Sequence, residues 1–306
     1  MALPDVLRAR LRLPLIAAPM FLVSGPELVI AACRAGIVGA LPALNARTSE
    51  QFAEWMEEIH AALVDSPRAG MLAVNLPTPK FGGKRYAPDL AIAERYRVPI
   101  VITAIGDPTE VVQAVHAWGG VVLHDATTIA HAHKAAAAGV DGINLICGGA
   151  GGHAGVLNPF AFVPQVRRFF GGIVCLAGAL SDGRSIRAAQ ALGADLVYMG
   201  TRFIATRESR AHDDYKRLLV SEDSGDILYT AAIAGMPGSF MRSSMRRAGL
   251  DPDRLPPPDG HRPQLPDGIK PWKDVWSAGQ GIGLIDDIPP VAELVARLAA
   301  EYDAAN

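Results

Sequence analysis

The feature that most constrains this chain is a rhythm. Short, continuous apolar runs are followed by turn residues and then by longer amphipathic stretches, and the pattern occurs eight times. The runs are "LPLIAAPM" (13–20), "GIVGAL" (36–41), "MLAVNL" (71–76), "PIVITAI" (99–105), "GVVLHDA" (120–126), "GINLIC" (142–147), "GIVCLAG" (172–178) and "DLVYMGT" (195–201). A run that is apolar on both faces reads as a parallel strand covered on both sides. The stretches between read as crossover helices. One opens after Thr48 as N-cap, one on Asp107-Pro108, and two close on Gly139 and Gly193. Eight βα units over roughly 200 residues predict an α/β protein, a (β/α)8 TIM barrel. A doubly wound open sheet is the alternative, because periodicity does not report closure.

The rhythm breaks past Arg210. Residues 222–271 carry "GMPGSFMRSSMRRAG" and the proline-rich "DPDRLPPPDGHRPQLPDGIKP", which no barrel strand tolerates. The division expected is a barrel over 1–221, a smaller cap or side subdomain over 222–284, and a C-terminal helix over 285–306 packing back on the barrel. Net charge is −2 with signs mixed throughout, so nucleic acid is not an expected partner. The three cysteines, Cys33, Cys147 and Cys175, are far apart in apolar runs and read as buried thiols, neither a disulfide framework nor a metal site. Arg8, Arg10 and Arg12 before Leu13–Val23 superficially resemble a signal peptide. The run holds two prolines and is too short for a span, so it reads as the first core strand of a cytoplasmic protein with no membrane partner.

In a barrel the chemistry sits at the C-terminal ends of the strands. Strand one ends in Pro19-Met20-Phe21, strand three in Asn75, strand five in His124-Asp125, strand seven in Ala177-Gly178-Ala179, and strand eight in Gly200-Thr201. Small residues after strands seven and eight let backbone N–H groups approach a phosphate, with a helix dipole adding attraction. The alternative is that they only permit tight turns.

Strand six runs into "CGGAGGHAG", Cys147 to Gly155. It nearly matches a dinucleotide fingerprint, but Asn158-Pro159 interrupts the required helix and no acidic residue follows at the right distance. The glycines instead suit a loop pressed against a flat ligand. His153 then stands where the ligand's reactive face would be, able to take a proton or present a charge. A solvated loop histidine is the plain alternative.

These residues carry a resemblance. "AAPM", "AVNL", "GGAGGHAG", "AGALSDGRSIRAAQALGAD", "MGTRFIATRES" and "SAGQGIGLIDD" look like the nitronate monooxygenases, formerly called 2-nitropropane dioxygenases, over most of the chain except 210–270. Flavin-dependent enoyl-acyl-carrier-protein reductases and NADH:quinone reductases share that fold. The resemblance implies a barrel holding FMN non-covalently. It implies the phosphate on Ala177, Gly178, Ala179, Gly200 and Thr201. The ring would lie against Pro19, Met20 and Phe21, near Asn75, His124 and Gly151, with Gln280 and Gly279 closing the site. His153 would be catalytic. It further implies oxidation of a small nitronate or nitroalkane with O2 to a carbonyl compound and nitrite, in a possible homodimer. The alternative is an NAD(P)H-dependent reductase of a quinone or enoyl thioester. Where some relatives carry a lysine after the strand-five histidine, this chain has Asp125, and Ala179 replaces a glycine.

Overall fold

The computed structural model describes residues 9–66 and 69–305. Eight parallel strands close into a barrel. They are β1 (Leu15–Ala17), β2 (Val38–Pro42), β3 (Leu72–Asn75), β4 (Ile100–Thr103), β5 (Val121–Ala126), β6 (Gly142–Ile146), then, after a two-residue strand β7 (Gly152–His153), β8 (Ile173–Ala177) and β9 (Leu196–Met199). Leu15↔Val197 pairing joins the last barrel strand to the first, so closure replaces the open-sheet alternative. Each expected run holds one of these strands, because burial on both faces requires an unbroken apolar sequence.

Alternate side chains divide the core in two. Ile16, Val38, Ala73, Ile102, Leu123 and Cys175 fill the lumen, while their neighbours Leu15, Val74, Val101 and Val122 pack against the surrounding helices. Those helices include α1 (Pro26–Arg34), α2 (Ser49–Leu63), α3 (Tyr86–Arg95), α4 (Thr109–Ala117), α5 (Ile129–Ala137), α6 (Pro159–Arg167) and α7 (Gly183–Leu192). The expected caps are present: Thr48 accepts from the Gln51 N–H, and Gly193 closes α7 at φ +107°. Asp107 accepts from the Thr109 N–H, so its carboxylate covers the start of α4. The three cysteines are free and buried. No helix of the described residues is long and apolar enough to cross a membrane.

After β9 come a short helix α8 (Thr201–Ile204), α9 (Asp213–Ser221), strands β10 (Ile227–Thr230) and β11 (Gly238–Met241), α10 (Arg242–Arg247) and, at the end, α11 (Val291–Ala304). The last helix lies along α7 and α1, where Tyr302 stacks under the Arg187 guanidinium at 3.7 Å. Strands β10 and β11 form an antiparallel hairpin, and β11 also pairs with β7, Gly238↔His153 and Ser239↔Gly152. The loop between β6 and β8 is thereby the edge strand of a small cap sheet.

Candidate active site

A cavity of about 1250 Å3 opens at the C-terminal ends of the strands. Single-ligand pockets run to roughly 1,000 Å3, so it has room for a cofactor and a substrate together. Its lining includes Pro19, Met20, Phe21, His124, Gly151, His153, Ala177, Gly178, Ala179, Gly200 and Thr201. Two expected residues stand apart from that lining. Asn75 lies at the end of β3 with its amide donating to the Ile102 carbonyl at 3.2 Å, and Gln280 is exposed, its N–H donating to the Gly149 carbonyl at 2.8 Å. Residues not singled out from the sequence also line the cavity: Tyr198, Tyr215, Tyr229, Ser277 and Trp272. The last four come from the irregular C-terminal third, where no periodicity marks a site.

The glycines of the 149–152 loop answer a tighter constraint than contact with a flat ligand. A Cβ on Gly279 would stand 2.6 Å from the Gly149 carbonyl oxygen, and one on Gly151 would stand 2.9 Å from the Gly279 N. Two backbones meet there without room for side chains. Ser277 ties the seam: its hydroxyl accepts from the Gly152 N–H at 2.7 Å and donates to the Ser239 carbonyl at 2.6 Å.

His153 is held by the cap sheet. Its Nδ1 lies 3.4 Å from the Pro237 carbonyl, which can only accept, so Nδ1 carries the proton and Nε2 keeps its lone pair. Trp272 meets the ring edge-on at 5.0 Å. Desolvation moves the imidazole below the usual histidine value, with the Pro237 contact opposing, which favours the neutral ring. His124 is buried, Nδ1 to Thr103 Oγ1 at 2.7 Å, and burial lowers it to about 4. It is both a packed histidine and a cavity wall. The other histidines serve local contacts: His116 pairs with Asp141 at 2.8 Å and His133 stacks on Phe169 at 3.7 Å.

The seventh and eighth barrel strands, β8 and β9, end in a backbone cradle. Gly178 and Ala179 take φ of +135° and +55°, a rare state for alanine. Neither Gly178 nor Gly200 donates its N–H to a protein acceptor among the described residues, and Thr201 heads α8, where helix geometry leaves its N–H free. The N-terminus of α7 is already met by carboxylates of the chain itself. Asp182 caps it through the Ser185 N–H at 2.7 Å, and Glu301 accepts from the Gly183 N–H at 2.8 Å. The remaining donors and the space over them fit a cofactor with an anionic tail. Ile105, Ala179 and Trp272, three of the five described non-glycine residues with positive φ, line this one cavity, where strain collects at functional sites.

The fold and site together define a (β/α)8 barrel whose cavity, at the C-terminal ends of its strands, is lined by His153 and by the free backbone N–H groups after strands seven and eight. The family model "Nitronate monooxygenase" matches residues 7–301, and the chain belongs to that family of flavin-dependent oxidoreductases. It is 30% identical to a nitronate monooxygenase of Paraburkholderia phytofirmans, over 94% of this chain and 92% of that one. Among solved structures it resembles a nitroalkane oxidase of Streptomyces ansochromogenes (TM-score 0.79, 25% identity, 98% of each chain). It also resembles FabK of Thermotoga maritima (TM-score 0.78, 25% identity, 98% of this chain and 95% of that one).

Proposed function

We propose that the protein binds FMN and oxidises alkyl nitronates, and nitroalkanes through their nitronates, with O2 to a carbonyl compound and nitrite. The observation that carries this reading is His153 facing the cavity that also holds the backbone cradle, its Nδ1 toward the Pro237 carbonyl and its Nε2 free. FMN, when bound, supplies the electron-accepting chemistry. Gly178, Gly200 and Thr201 would hold its phosphate, while the Ala179 N–H, expected from the sequence to join them, is taken by the Gly149 carbonyl at 3.2 Å; Met20 and Phe21 would flank its ring.

A neutral imidazole is suited to removing the α-proton of a neutral nitroalkane at Nε2. The resulting imidazolium, fixed by the Pro237 carbonyl at Nδ1, then sits beside the nitronate it has made. A preformed nitronate needs no such step.

The second reading is an NAD(P)H-dependent reductase of a quinone or enoyl thioester, favoured by the size of the cavity and the likeness to FabK. Anaerobic stopped-flow mixing separates the two. Bleaching of the visible flavin bands by ethylnitronate, and none by NADH, is the expected result; bleaching by NADH alone reverses the ranking.

A further inference from the structure

The lumen holds one carboxyl that the reaction above does not use. Asp125 lies two residues beyond Leu123 on the inward face of β5 and lines the cavity. It pairs in register with Asn144 of β6, which pairs with Cys175 of β8. Among the described residues its one side-chain hydrogen bond is from the Asn144 amide at 2.7 Å, and the Asn144 carbonyl oxygen is itself buried without a partner. The other groups coupled to it are neutral, the Tyr198 phenol and the Cys175 thiol. His153 faces the same cavity from the cap, His124 from the neighbouring position on β5, and His131 and Lys134 from α5. No Arg or Lys forms an ion pair with Asp125 among the described residues. A carboxylate so placed has no counter-ion, and an anion entering beside it would meet a like charge in a low-dielectric chamber.

We propose that Asp125 is the cavity's anion gate: its protonated carboxyl admits an anionic substrate and donates a hydrogen bond to it, and its carboxylate excludes that anion. The claim rests on the reading of the substrate as a nitronate, and it makes proton uptake part of substrate binding. Burial, opposed by the Asn144 bond, raises the carboxyl to about 7, so the gate works in the neutral range. Above it, each pH unit weakens anion binding by up to about tenfold, because the protonated fraction falls tenfold.

The test is calorimetric binding of nitrite to the FMN-loaded enzyme at neutral pH, in two buffers of different ionisation enthalpy, which counts protons taken up per anion bound. The probes are wild type, Asp125→Asn, Asp125→Ala and His153→Asn, each checked for cooperative melting. Expected are partial proton uptake by wild type and His153→Asn, none by either Asp125 variant, and nitrite affinity that falls with pH only where Asp125 is present. Uptake that survives in Asp125→Asn and Asp125→Ala but disappears in His153→Asn overturns the proposal, as does absent uptake or absent nitrite binding in wild type. Uptake as expected in an enzyme that does not oxidise nitronates removes the proposed reaction and leaves the gate.

Discussion

His153 and Asp125 are displaced in opposite directions by one cause. Desolvation disfavours charge, so it lowers the imidazole below its usual value and raises the carboxyl to about 7. For His153 the consequence bears on the proposed proton abstraction. His153→Asn keeps a donor near Pro237 but removes the base, so kcat/KM for neutral nitroethane is expected to fall by about 10²–10⁴-fold while oxidation of preformed ethylnitronate persists. Equal losses on both substrates would remove the base role. For Asp125 the consequence reaches stability. The unfolded chain ionises this carboxyl from its ordinary value near 3.8, whereas the folded chain holds the proton to about 7. The folded state therefore loses stability as pH rises between those values, and the loss is complete above the folded one. Asp125→Asn is expected to melt higher than wild type at pH 8, by at most about 4 kcal/mol, and to show little difference near pH 3. Thermal melts at both pH values check this. A lone aspartate after a histidine was visible in the sequence. That it faces the lumen without a counter-ion was not, because its surroundings come from β6, β8 and β9.

At the scale of elements, the barrel strands could be read because each is an unbroken apolar run, and the helices because Thr48, Gly139 and Gly193 punctuate them. The cap sheet could not. Strand β7 is two residues inside a glycine loop, β10 and β11 are four residues each, and their pairing joins Gly152 to Ser239 across a long stretch of chain. Such short strands carry no period of their own, and non-local register leaves no local signal. This pairing nonetheless aims the proposed base, since His153 is fixed by β11 and by the Pro237 carbonyl just before it. A Cβ on Gly238 would stand 2.8 Å from the Gly152 carbonyl oxygen. Gly238→Val is therefore expected to push β7 away from β11 and lower kcat on nitroethane by at least about tenfold, at a fold cost of about 1–3 kcal/mol. Parallel kinetics and melting curves decide; a loss of stability with unchanged kcat would show that the sheet does not position His153.

At the scale of the whole molecule, the barrel, the cap and the returning 277–281 segment converge on one end, and the cofactor completes that end rather than the core. The lumen below is already packed by side chains from all eight barrel strands, and the helical shell is sealed by α11. Apoprotein should then keep its barrel and gain stability from ligand by mass action alone. At FMN a hundredfold above its dissociation constant the gain is about 2.7 kcal/mol, a rise of about 5 °C in Tm for a chain of this size. The cradle makes a sharper demand, because the free N–H groups of Gly178, Gly200 and Thr201 would answer the phosphate and not the ring. Riboflavin, which has the ring and lacks the phosphate, is expected to raise Tm by less than half as much at equal concentration. Gly178→Val, whose Cβ would stand 3.1 Å from the Gly148 carbonyl oxygen at a φ that valine does not accept, should erase the difference between the two ligands. Equal shifts by FMN and riboflavin in the unaltered protein would mean that the tail is held somewhere else.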